Sequence, residues 1–158
     1  ALGSLAREAD WLYGRPMRIS DVLRNKGGGV VTIRPDDTVA HLLSVLSEHG
    51  IGALVVSDDG KAVAGIVSER DVVRHLHRSG ADVLGSAVSA IMTSEVHTCE
   101  GGDEVEGLAQ MMTDRRIRHV PVVQDGELTA IVSIGDVVKH RINALQSERD
   151  HLKDYIQQ

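Results

Sequence analysis

The chain has 158 residues, 42% of them hydrophobic and 25% charged, a composition typical of a globular protein rather than a disordered one. Its formal net charge of −6 argues against a nucleic-acid-binding protein, which needs a basic face for phosphate contacts. The single cysteine, Cys99, excludes an internal disulfide framework. Because there is also no signal-peptide pattern and no long apolar run, we expect a cytoplasmic protein without membrane spans.

Residues 1–16 form an N-terminal extension, in which Leu2, Leu5, Ala6, Ala9 and Leu12 recur at helical spacing and predict a short amphipathic helix. A second short helix is expected to end near Leu23, before the glycine-rich stretch 27–29. That stretch lacks the spacing of a phosphate-binding loop, so we interpret it as a linker. Lys26 stands just before the first strand and is a candidate contact for a ligand phosphate.

The following residues predict a strand at 30–33, a helix at 38–48 ending at Gly50, and strands at 53–56 and 63–67 around an Asp-Gly turn. A helix after Asp71 is expected to end at Gly80. Residues 81–86 link this half to a second one with the same order of elements.

The last helix begins near Asp136 and contains no later Gly or Pro that would end it. Ile142, Leu145, Leu152 and Ile156 lie near one stripe, which Arg149 interrupts. We favour a homodimer contact over a solvated tail, because an isolated apolar stripe gains little from staying in water.

The chain contains one motif twice, each time as an apolar run, a Ser, two variable residues and an Asp. Residues 65–73 carry it first, with Ser68 and Asp71, and residues 130–138 carry it again, with Ser133 and Asp136. A Ser followed three residues later by an acid is a helix-start signature that ordinary capping would explain. The free N–H groups of a helix start also favour an anion, and the carboxylate can accept bonds from a sugar diol.

The duplication extends beyond the motif, since Val30 to Asp59 matches Val96 to Asp125 at a constant offset. With this motif and element order, the chain resembles a tandem pair of cystathionine-β-synthase-type (CBS) domains, a Bateman module. The resemblance implies an α/β (α+β) fold of two pseudo-symmetric repeats, each strand-helix-strand-strand-helix, packed sheet to sheet. We place repeat 1 at residues 17–82, repeat 2 at 83–141, and a C-terminal helical extension at 142–158.

The resemblance also implies two nucleotide-binding clefts, each built from the motif of one copy and the strand edges of the other. The first cleft would combine Ile66, Ser68, Arg70 and Asp71 with Thr98, Cys99, Arg118 and His119. The second would combine Ile131, Ser133, Gly135 and Asp136 with Thr32, Ile33, Gly52 and Ala53. Because Arg118 and His119 match Gly52 and Ala53, the first cleft is expected to be more basic, with Lys26 as the cation nearest the second.

Catalysis and metal binding are not predicted. The eight histidines include no pair at the i, i+4 spacing of a zinc helix, and no nucleophile elbow surrounds Ser68 or Ser133. We therefore expect a non-catalytic sensor without a catalytic cofactor that binds AMP, ADP, ATP or NAD(H). S-adenosylmethionine is disfavoured by the basic first cleft. The alternative is a protein-interaction module with degenerate clefts, and either would regulate a partner protein that the sequence does not identify.

Overall fold

Repeat 1 is built as the sequence predicts, with small changes in the bounds of its elements. The computed structural model describes residues 16–24, 26 and 29–157, so the helix expected in residues 1–15 lies outside the described residues. The elements are α1 (Ile19–Leu23), β1 (Thr32–Ile33), α2 (Val39–His49), β2 (Ala53–Val56), β3 (Gly65–Ser68) and α3 (Glu69–Ser79). Helix α3 begins before the predicted Asp71 because Ser68 is its N-cap residue.

After the 3₁₀ segment Gly80–Gly85, which lies where the sequence suggested a linker, repeat 2 begins with the 3₁₀ segment Val88–Ala90, the counterpart of α1. Its elements are α4 (Val105–Arg115), β4 (His119–Gln124), β5 (Glu127–Ser133) and α5 (Ile134–Gln157). The predicted α/β architecture with two repeats is thus confirmed.

The two sheets share one plan. In repeat 1, β2 lies between β1 and β3, parallel to β1 and antiparallel to β3. In repeat 2, β4 and β5 are antiparallel, and the counterpart of β1 shrinks to Cys99, which bridges Val122 in parallel. A tight turn joins β4 to β5 because Asp125 and Gly126 both adopt positive φ, at 52° and 77°. In repeat 1 a longer loop, residues 57–64, separates β2 from β3.

The short helical segment that begins each repeat, which we call its leading helix, packs in the hydrophobic core of the other repeat. Ile19 and Val22 of α1 pack in the core formed by β4, β5 and α4. Val88 and Ile91 of the second leading segment pack in the core of repeat 1. Backbone bonds fix both exchanges, since Ile19 N–H donates to Asp103 O at 2.9 Å and Val88 N–H donates to Asp37 O at 2.8 Å. Repeat boundaries in the sequence are therefore not boundaries between the cores.

None of the described helices is both long and apolar enough to cross a membrane.

Candidate functional site

The first motif places Asp71 at the start of α3, with its carboxylate turned back to Ser68. Asp71 Oδ2 accepts the Ser68 backbone N–H at 2.8 Å and the Ser68 hydroxyl at 3.1 Å. This arrangement satisfies a backbone donor that the helix start would leave free. Both bonds use the same oxygen, and among the described residues Asp71 Oδ1 accepts no bond. A carboxylate held this way caps a helix and keeps one oxygen for another donor.

The second motif repeats this geometry and adds a cation. Asp136 Oδ2 accepts the Ser133 N–H at 2.9 Å, and the Asp136 N–H donates to Ser133 Oγ at 3.1 Å. The Lys26 ammonium donates to Asp136 Oδ2 and to Ile131 O, both at 2.6 Å. Lys26 therefore links the motif carboxylate to the last strand of repeat 2.

These contacts change the ionisation of Asp136. Burial acts to raise the pKa of this carboxyl, but the Lys26 ammonium and hydrogen bonding to the backbone N–H and side chain of Ser133 outweigh it and hold the pKa below its usual value. Asp136 is therefore ionised at neutral pH. The side chains of Lys26 and Asp136 are 37% and 28% exposed, so we expect the pair to add only ~0–1 kcal/mol to stability. A competing cation or anion can displace Lys26 at small cost.

His119 stands where the two repeats meet. It pairs with Ser133 across β4 and β5, and its Cε1 lies 3.7 Å from where a Cβ on Gly52 would stand. Glu69 Oε1 lies 2.9 Å from the same point. Burial is the main cause of a lowered His119 pKa, and Lys26 and Arg118 lower it further against the opposing charges of Asp136 and Glu69. His119 is thus a neutral imidazole between acidic groups from both motifs.

Glu69 is the residue of this cluster that sequence reasoning missed. It occupies a variable position of the motif, and its counterpart in the second copy is Ile134. This difference between the copies could have marked Glu69 as a candidate site residue, because an acid that occurs in only one copy is not required by the fold that both copies share. Thr93 was missed too, although it exchanges backbone bonds of 3.0 and 2.9 Å with Ile66.

The strand register brings most predicted site residues close to others of the same repeat. The predicted clefts instead combined the motif of one repeat with the strand edges of the other. Ala53 pairs with Ser68, and Glu69 N–H donates to Gly52 O at 3.0 Å. In repeat 2, Ile134 N–H donates to Arg118 O at 2.9 Å. Each strand start, at 52–53 and at 118–119, therefore adjoins the motif of its own repeat. The residues around the two motifs approach each other where Gly52 lies near His119. Among the residues that the structure describes, the cation in contact with a motif carboxylate is Lys26, on the side where we expected the less basic cleft.

Three predicted residues have side chains that belong to the hydrophobic interior. Ile33, Ala53 and Cys99 are 3%, 4% and 6% exposed, so a ligand can reach only their backbone. Burial raises the pKa of the Cys99 thiol to about 12, which leaves it protonated and unreactive at neutral pH. The other predicted residues are partly buried or exposed; they are Lys26, Thr32, Gly52, Ile66, Ser68, Arg70, Asp71, Thr98, Arg118, His119, Ile131, Ser133, Gly135 and Asp136.

Of two cavities near the predicted site residues, one reaches a motif. The larger, about 470 Å³, is lined by the end of α2 and reaches the first motif through Gly52 and Glu69. The smaller, about 250 Å³, is lined by α1, α4 and the stretch that contains Thr98 and Cys99. Within the described part of the chain, no three His, Cys, Asp or Glu side chains are grouped to hold a metal ion. The groups at the motifs offer hydrogen bonds and a charge pair.

Comparisons with known proteins agree with the duplicated fold. The CBS domain family matches twice, at residues 19–78 and 88–143. The CBS domain-containing protein CBSX3, mitochondrial, of Arabidopsis thaliana is 39% identical over 147 residues, which cover 88% of this chain and 71% of that protein.

Two solved structures share the fold. A CBS-domain containing protein from Agrobacterium tumefaciens superposes with a TM-score of 0.76 at 44% identity, covering 79% of this chain and 99% of that one. The CBS domain pair of the protein MJ0100, solved with 5′-methylthioadenosine and S-adenosyl-L-methionine, superposes with a TM-score of 0.69 at 23% identity, covering 78% and 98%. The two family matches and the fold they share lead to one conclusion: this chain belongs to the CBS-domain family and carries a tandem pair of CBS domains.

Proposed function

We propose that this CBS pair is a non-catalytic regulatory module that binds an adenine nucleotide (AMP, ADP, ATP or NAD(H)) at its two strand-to-helix motifs. The observation that carries the proposal is the repeated carboxylate at a helix start, with Asp71 and Asp136 each accepting the N–H of a Ser three residues earlier. A capped carboxylate with a free oxygen is suited to a ribose diol, and the helix N–H groups favour phosphate. The related pair solved with two adenosine compounds supports the ligand class.

The nucleotide would contact the residues around each motif. Ile66 and Ile131 are partly buried on the last strands and offer aliphatic surfaces for a base. Lys26 and Arg118 supply positive charge near the second motif, so a phosphate-bearing ligand fits better there than S-adenosylmethionine. Arg70 and Thr98 are exposed and remain candidates at the first.

Calorimetric titration with each of the four nucleotides tests this proposal. Asp71→Asn and Asp136→Asn keep an oxygen for the Ser N–H but remove the charge, so the helix stays capped. Each should weaken nucleotide binding at its own motif about 10- to 150-fold, the equivalent of ~1.5–3 kcal/mol for a hydrogen bond to a charged group.

The matched control is Asp21→Asn, since Asp21 Oδ2 accepts the Arg18 N–H at 2.9 Å in the same geometry on α1. It should change stability like the other two variants and leave binding intact. Unchanged affinity in the Asp71→Asn, Asp136→Asn double variant would refute nucleotide binding at the motifs.

A second candidate function is an interaction module in which the second motif is closed. The contacts of Lys26 with Asp136 and Ile131 O favour it, because they use the groups that a ribose and a base would need. Lys26→Met separates the two functions. If Lys26 holds phosphate, the variant weakens nucleotide binding; if it closes the motif, the variant strengthens binding or creates it.

We also propose that the module is a homodimer, because α5 exposes an apolar stripe that a monomer would leave in water.

A cytoplasmic location stays a prediction from composition, and the Arabidopsis relative is named as mitochondrial.

A further inference from the structure

The C-terminal half of α5 extends beyond the cores. Val137 is the buried residue of this helix, and from Arg141 onward every described side chain except that of Ala144 is exposed. Five exposed aliphatic side chains nevertheless lie on this helix, with exposed fractions from 49% to 80%: Val138, Ile142, Leu145, Leu152 and Ile156. Residues 142–157 alone extend about 1.5 Å each, or ~24 Å, which is long enough to contact a partner helix.

The spacing of these residues identifies the kind of partner. Together with Arg149, they are separated by alternating steps of four and three residues, from Val138 to Ile156. That is the a/d repeat of a coiled coil, whose 3.5-residue period keeps one seam facing another helix. Ile142, Arg149 and Ile156 then occupy a positions, and Val138, Leu145 and Leu152 occupy d positions.

The charges beside the seam favour a second copy of this chain in parallel orientation. Glu148 falls at a g position and Lys153 at the following e position. In a parallel pair, g of one helix faces the next e of its partner, so Glu148 and Lys153 form opposite-charge pairs twice. In an antiparallel pair, e positions face each other and would bring Lys139 and Lys153 of the two copies together.

Arg149 is the exception within the seam. Its guanidinium contacts Asp150 at 3.3 Å, a pair in which both side chains are about 60% exposed and easily exchanged. In the parallel pair, Arg149 of the two copies lie at the same level of the seam, and each guanidinium can pair with Glu148 at the adjacent g position of the other copy. A single polar a position fixes register at a cost in stability.

We propose that residues 138–156 of two copies form a parallel two-stranded coiled coil whose register is set by Arg149. This deepens the homodimer proposed above and does not depend on nucleotide binding. The contact continues from Val138, which lies beside the buried Val137, so the coiled coil would begin at the edge of repeat 2.

Cysteine cross-linking tests orientation. In Leu145→Cys and Leu152→Cys, a parallel pair brings each d position opposite itself, within disulfide range. Ser147→Cys is the matched control on the outer face, and native Cys99 is buried and adds little background. Under mild oxidation in full-length protein, we expect both d-position variants to form covalent dimers at least about tenfold faster than Ser147→Cys.

Light scattering on the same samples separates the two proposals. A dimer whose d-position variants link no faster than the control overturns the coiled coil and leaves the dimer. A monomer at tens of micromolar overturns both.

The variant Arg149→Leu tests the seam without removing any apolar side chain from it. It completes the apolar seam and should lower the dimer dissociation constant about tenfold or more by sedimentation, whereas Ser147→Leu, with the same new side chain on the outer face, should not. Equal effects of the two variants would place Arg149 outside the seam and overturn the proposal.

Discussion

At the scale of single residues, the motif aspartates have a structural task as well as the proposed binding one. The sequence pattern left capping and ligand binding open, and the structure shows the capping bonds of Asp71 and Asp136 directly. Replacing such a residue by alanine costs a helix about 0.5–2 kcal/mol. Stability must therefore be measured beside affinity for any variant at these positions.

His119 gives a prediction about pH. Burial and the Lys26 charge lower its pKa in the folded protein, while an unfolded histidine has a pKa of about 6.5. Below about 6.5 the unfolded chain therefore binds more protons, and the stability that neutral His119 contributes is lost as pH falls towards its folded pKa. The lowered pKa of Asp136 keeps that carboxylate ionised there, so Asp136 does not contribute to the change.

The measurement is the urea midpoint of unfolding between pH 7.5 and 5. The wild type should lose more stability over this range than His119→Gln does. His77→Gln, at an exposed histidine, should keep the wild-type slope. Equal slopes for all three proteins would contradict this account. Because the pKa of His119 is lowered, any strengthening of phosphate binding by its protonated form begins at a lower pH than for an ordinary histidine.

At the scale of elements, Gly65 explains a difference between the two motif copies. A Cβ on Gly65 would lie 2.7 Å from Met92 Sδ and 2.8 Å from Thr93 O. The methionine can move, but Thr93 O accepts the Ile66 N–H at 3.0 Å and is held in place. The second copy has Ala130, and there the last strand is approached by the flexible side chain of Lys26 instead. Glycine is thus needed only where backbone packs against backbone.

Gly65→Ala should therefore destabilise the protein by about 1–3 kcal/mol, the usual cost of overpacking. The matched exchange in the other copy, Ala130→Gly, should cost only about 0.5–1 kcal/mol through added backbone freedom. Urea unfolding of both variants at neutral pH compares them. If Gly65→Ala costs no more stability than Ala130→Gly, the Thr93 backbone can move away from the added methyl group despite its two hydrogen bonds to Ile66, and the account of Gly65 is wrong.

The strand and helix order was predictable because the chain repeats it. Val30–Asp59 matching Val96–Asp125 predicts two copies of one unit, and apolar runs such as residues 53–56 predict buried strands. The grouping of site residues was not predictable in the same way. Gly52 and Arg118 have equivalent positions in the pattern, and only the register shows that each adjoins the motif of its own repeat.

At the scale of the whole molecule, the exchange of leading helices makes the two cores interdependent. The pattern of Ile19 and Val22 is the same as that of Val88 and Ile91, so the sequence does not reveal which core each pair enters. The structure places each pair in the core of the other repeat, with Ile19 and Val88 fully buried. Neither core is complete with the residues of its own repeat alone, which explains why a repeat of this size needs its twin.

Interdependent cores should unfold together, and Ile19→Ala tests this. Although Ile19 belongs to repeat 1 in the sequence, its loss opens a cavity in the core of repeat 2 and should cost about 2–5 kcal/mol. Hydrogen exchange should then accelerate by the same factor at Val55 N–H in β2 and at Val120 N–H in β4, because both are released by one global opening. Ile51→Ala, at a side chain that is 38% exposed, is the control and should change both rates little. Faster exchange confined to Val120, with Val55 still protected, would show that the second core opens alone and that the exchanged helices do not couple the repeats.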